Sequence, residues 1–100
     1  MTQNYVVPNQ MIAIEVINPG NQSQLQQTTV AVPALKAGQV LLKVAAAGVN
    51  RADLLQRSGL YPPPAGESDI LGLEVAGTVV AVAAEVSSEW LGEAVFGLVP

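Results

Sequence analysis

Asn50 and Asp53 are the two side chains of this chain best placed to do chemistry together. Their i, i+3 spacing puts both on one face of the first turn of a helix beginning at Arg51. An amide can hold another amide or polarise a carbonyl, but it does not ionise and so moves no proton. The pair also has a plain structural use. Asn50 suits a helix N-cap, its side-chain oxygen accepting from a backbone N–H two or three residues on. Asp53 suits the first turn, where a negative charge favours the positive end of the helix dipole, and it can pair with Arg57 at i, i+4. Capping and the lining of a cleft are compatible. Tyr61 is the next candidate. It precedes Pro62-Pro63-Pro64, which push its backbone toward an extended form and stiffen the loop. A ring held there can stack on a flat molecule, or simply close the fold as a half-buried tyrosine. Glu74 stands between Leu73 and Val75 in an apolar stretch. A carboxylate buried there needs a partner, such as a cation on another element, or it protonates.

Several chemistries are excluded by what is missing. The chain has no cysteine and no histidine, which removes thiolates, disulfides, the usual neutral-pH base and the commonest metal ligand. The carboxylates are dispersed, with no spacing typical of zinc or calcium. There is no G-x-S-x-G, no G-x-G-x-x-G and no P-loop, so no nucleotide-binding Rossmann unit lies within these residues. Eight acids against four bases give a net charge of −4, and Lys36, Lys43, Arg51 and Arg57 form no run. Nucleic acid and anionic membranes are therefore poor partners.

One hundred residues, half of them apolar, make about one domain with one modest core. No basic stretch followed by a long apolar one opens the chain, and residues 75–84 are too short an apolar run to span a bilayer. The expectation is a cytoplasmic protein.

The elements that would position these side chains follow from local pattern. Residues 1–10 read as a flexible leader. Residues 11–17 are β-branched and short, hence a strand, and Asn18-Pro19-Gly20-Asn21 is a turn signal. The Gln-rich residues 22–27 read as a loop into a strand at 28–32. Residues 40–47 are nearly all apolar, as expected of a strand buried on both faces. A helix over Arg51–Arg57 ends near Gly59, which suits the left-handed C′ position. A long strand follows at 73–82, a turn at 87–89 and a last strand at 94–96. Five or six strands with one short helix predict a mainly β, partly open barrel. The last nine residues form an apolar strand with nothing after it to cover its edge, so the expectation is the front part of a longer protein.

The string from 44 to 77, VAAAGVNRADLLQRSGLYPPPAGESDILGLEVAG, resembles the catalytic-domain core of the medium-chain dehydrogenase/reductases. Within that superfamily it is most similar to the zinc-free NAD(P)H quinone oxidoreductases, the zeta-crystallin-like family. The resemblance covers residues 11–100 and implies a GroES-like catalytic domain. In the zinc-dependent alcohol dehydrogenases a cysteine takes the place of Asn50 and a histidine that of Leu73, so the resemblance implies hydride transfer without a metal. It implies Asn50 and Asp53 as catalytic residues beside a nicotinamide, Asn50 and Tyr61 as cofactor contacts, and Tyr61 with Leu73 as walls for a flat, apolar acceptor. The cofactor implied is NADPH or NADH, bound mainly by a domain outside these residues. The partner implied is a quinone or similar small carbonyl compound, with a homodimer at full length. Ala83, and Gly92-Glu93-Ala94-Val95 in place of Gly-Asp-x-Val, depart from the usual pattern; the family has glycine at 83, where a Cβ strains the backbone if φ is positive. Two other readings remain: an enoyl reductase of the same superfamily, and a non-enzymatic GroES-like binding module. The second needs a mobile apolar loop, for which residues 22–27 are too polar.

Overall fold

The computed structural model describes residues 5–18, 20, 24–60 and 70–99. Along the chain run β1 (Gln10–Ile17), β2 (Gln24–Ala31), β3 (Val40–Ala47), α1 (Arg51–Arg57), β4 (Glu74–Val82), a single 3₁₀ turn (Ser88–Trp90) and β5 (Ala94–Leu98). β1 and β2 form an antiparallel pair, and β3, β4 and β5 form a separate antiparallel sheet with β4 in the middle. The molecule is mainly β, and among the described residues the two sheets do not join, so its barrel is open. Among the described residues no helix is long and apolar enough to cross a membrane.

Two expectations about strands need correction. Gln24–Gln27 is not loop but half of β2, paired one to one with β1 from Ile17↔Gln24 onward. Glutamine has little strand preference of its own, but pairing with the β-branched β1 satisfies the backbone, while the glutamine side chains stay exposed. β3 is not buried on both faces. Its first three residues are half-buried, and from Lys43 onward it is exposed, because it forms one edge of a sheet covered on one side only.

The most buried apolar side chains are Ala13 of β1, Val79 and Val80 of β4, and Ala83 just beyond it; Val79 is fully enclosed. Ala83 takes ordinary backbone angles, since Asn18 is the one non-glycine residue of positive φ among those described. Its N–H donates to the Gln39 carbonyl at 3.0 Å, tying the exit of β4 to the entry of β3. The β3–β4 register slips at Leu41/Leu42 and again at Val44/Ala46. Gly77 makes the second slip feasible. A Cβ at that position would stand 3.0 Å from the Val44 Cα, inside normal contact.

Backbone bonds tie the β1–β2 hairpin to the segment before β4 and to α1. The Leu71 N–H donates to the Ile14 carbonyl at 3.3 Å, and the Gly20 N–H to the Arg57 carbonyl at 3.0 Å. Between β1, β3 and β4 lies an open apolar hollow of about 210 Å³, lined in part by Met11, Val32, Leu41, Leu42 and Val80. At its rim the Lys43 ammonium sits 4.7 Å from the centre of the Tyr5 ring.

Candidate functional site

The site is built where β3 passes into α1 beside the start of β4. Ala47 is the last β3 residue in register, opposite Val75. The Gly48 N–H continues the ladder by donating to the Glu74 carbonyl at 2.9 Å. Two residues later the chain reaches Asn50, the helix N-cap, at φ −125° and ψ 165°.

At seven residues α1 is too short to persist by propensity alone, so its ends carry much of its stability. Asp53 is 5% exposed. Its carboxylate reaches back and accepts the Asn50 N–H at 2.8 Å, one arm of a capping box. The Asp53 N–H donates to the Asn50 carbonyl at 3.0 Å. The carboxylate thus turns toward the helix start and not forward to the exposed Arg57. The other end closes as a Schellman turn. Leu60 N–H donates to the Leu55 carbonyl at 2.8 Å, and Gly59 N–H to that of Gln56 at 3.1 Å, with Gly59 at φ +77° as its sequence position predicts.

The Asn50 side chain makes no capping bond of its own and reaches to β4 instead. Its Nδ2 donates to Glu74 Oε1 at 3.2 Å, joining the helix start to the first residue of β4 across 24 residues of chain. The expectation for Glu74 is thereby corrected. It is exposed, not buried, and its partner is a neutral amide rather than a cation. The physical reason is its place at the strand end, where the sheet face is open. From there the side chain folds over Gly48, whose missing Cβ would stand 2.9 Å from the Glu74 Cδ.

Asn50, Asp53 and Glu74 are therefore one connected cluster. Leu73 leads into Glu74 and is half-buried, and its carbonyl accepts the Val99 N–H at 2.7 Å. The Leu73 backbone is one residue from the carboxylate that Asn50 meets. Tyr61 and the three prolines after it lie outside the described residues. Sequence reasoning missed Gly48 and the Asn50–Glu74 bond. The available signal was a glycine two residues before the helix cap and a single carboxylate in an apolar stretch.

The cluster can orient and hydrogen-bond a ligand. Asn50 offers a neutral, half-buried amide with one hydrogen engaged by Glu74. Such a donor fits a carbonyl oxygen.

Residues 36–99 match the model of the alcohol dehydrogenase GroES-like domain. The chain is 42% identical over 87 residues to a quinone oxidoreductase of Sus scrofa, covering 86% of this chain and 26% of that protein. It is 39% identical over 66 residues to a synaptic vesicle membrane protein VAT-1 homolog of Danio rerio, covering 66% of this chain and 14% of the relative. It is 34% identical over 97 residues to a 2-methylene-furan-3-one reductase of Solanum lycopersicum, covering 91% and 24%. The chain spans about a quarter or less of the length of these relatives. It belongs to the alcohol dehydrogenase GroES-like domain family, within the medium-chain dehydrogenase/reductase superfamily.

Proposed function

We propose that these residues form the N-terminal catalytic domain of a zinc-independent NAD(P)H-dependent quinone oxidoreductase. The observation that carries the reading is the 42% identity, over 87 residues, to the porcine quinone oxidoreductase. A reduced nicotinamide, held mainly by a nucleotide-binding domain outside these residues, supplies the hydride. What this chain supplies is binding and orientation in a dry cleft. Asn50 holds a carbonyl oxygen through its free amide hydrogen. Asp53 fixes the backbone from which Asn50 projects. Leu73, with Tyr61 in the same role by resemblance to the family, gives an apolar wall for a planar acceptor. Protons come from water, since the chain has no histidine or cysteine. The same reading carries a cytoplasmic enzyme, homodimeric at full length.

The test is oxidation of NADPH by benzoquinone, followed with the 100-residue chain and with a longer protein in which these residues are joined to a nucleotide-binding domain. The expected result is turnover by the longer protein and none by the chain alone. The identity of 34% over 97 residues to the 2-methylene-furan-3-one reductase favours a second reading, an enoyl reductase of the same superfamily. A longer protein that reduces a conjugated enone and leaves benzoquinone untouched establishes that one instead.

A further inference from the structure

We infer that Glu74 is a positioning residue for Asn50: its carboxylate sets which end of the Asn50 amide faces β4, and Gly48 leaves the space in which it does so. The inference rests on the reading that Asn50 lines the reaction cleft. Asn50 Nδ2 stands 3.2 Å from Glu74 Oε1. An ionised carboxylate only accepts hydrogen bonds, so the amide end that meets it has to be the NH₂. Flipping the amide would set two acceptor oxygens against each other with no proton between them.

Glu74 is itself well held. Its carbonyl accepts the Gly48 N–H at 2.9 Å, and it pairs with Leu98 across the sheet. Its side chain crosses the backbone at Gly48, where a Cβ would lie 2.9 Å from the Glu74 Cδ. Any other residue at 48 displaces the carboxylate. Asn50 therefore presents one fixed N–H donor to its ligand in place of an amide free to turn, and the ligand group it selects is a carbonyl oxygen.

The first measurement needs no ligand. The side-chain NH₂ resonances of Asn50 in the isotope-labelled chain are followed through an acid titration beside the Glu74 carboxyl carbon. The expected result is one shared midpoint, lost in Glu74→Gln and in Gly48→Ala. Should Gly48→Ala not fold, the isosteric Glu74→Gln decides alone. Asn50 resonances that ignore Glu74 in the unmodified chain overturn the inference. The second measurement uses the full-length enzyme, where Glu74→Gln lowers kcat about tenfold while KM for NADPH stays within about twofold. An unchanged kcat overturns the positioning role even if the pairing is seen. A full-length protein without any reductase turnover overturns the cleft reading instead, and the titration still decides the pairing.

Discussion

Asp53 shows how a single carboxylate can be legible in sequence and still be read for the wrong partner. Its spacing from Asn50 and from Arg57 allows both a capping bond and an i, i+4 ion pair. The structure uses the first, because a 5% exposed carboxylate gains more from a backbone N–H that would otherwise lack a partner than from a solvated guanidinium. Asp53→Ala should therefore cost about 1–2 kcal/mol, read as a lower urea midpoint with an unchanged slope. Arg57→Ala should move the midpoint by less than about 0.5 kcal/mol. Equal losses in the two variants would restore the ion pair. The Asn50–Glu74 bond lay beyond sequence reading for a different reason. It spans 24 residues, and it depends on a side chain being absent at Gly48 rather than on any group being present.

At the scale of elements, α1, β3 and β4 could be located from pattern because each carries its own signal: a cap and a left-handed glycine, or a run of apolar residues bounded by turns. β2 could not, since Gln24-Leu25-Gln26-Gln27 becomes strand only through its partner β1. The bulge at Val44/Ala46 was equally hidden. Gly77 is its mark, and Gly77→Ala should destabilise the chain by about 1–3 kcal/mol, measured by chemical denaturation, because the added carbon meets the β3 backbone rather than a side chain that can turn aside. The turn before β3 makes a further link. The Gly38 N–H donates to the Glu85 carboxylate from the turn after β4, which holds the Glu85 carboxyl below its ordinary value of 4.5. A depressed folded-state value contributes stability that is complete above pH 4.5 and fades as the pH falls from there through the lower folded value. Denaturation midpoints measured across that acid range should fall more steeply in the unmodified chain than in Glu85→Gln. Parallel curves would show that the bond has no energetic weight.

The whole molecule is long for its size, 48 by 22 by 21 Å, with a radius of gyration of 14.9 Å. A compact globule of this length has about 13 Å. The excess matches a thin core and a sheet whose outer face is apolar and open. Phe96 is 87% exposed and Leu98 74% exposed, both on β5, whose outer edge pairs with no strand among the described residues. Phe96 stands opposite Ala76, which stands opposite Ala46, so an apolar row crosses the sheet. An apolar face of this kind beside a free strand edge favours association between copies of the isolated chain. Its sedimentation coefficient should therefore climb with concentration. The double substitution Phe96→Ser with Leu98→Thr should flatten that dependence. It should also leave the urea midpoint within about 0.5 kcal/mol, because side chains this exposed bury little when the chain folds. If the unmodified chain sediments as a monomer at every concentration, the open face is tolerated by water and the association argument fails. If the double variant loses stability as well, Phe96 and Leu98 pack within the domain, and the sheet is covered from inside the fold.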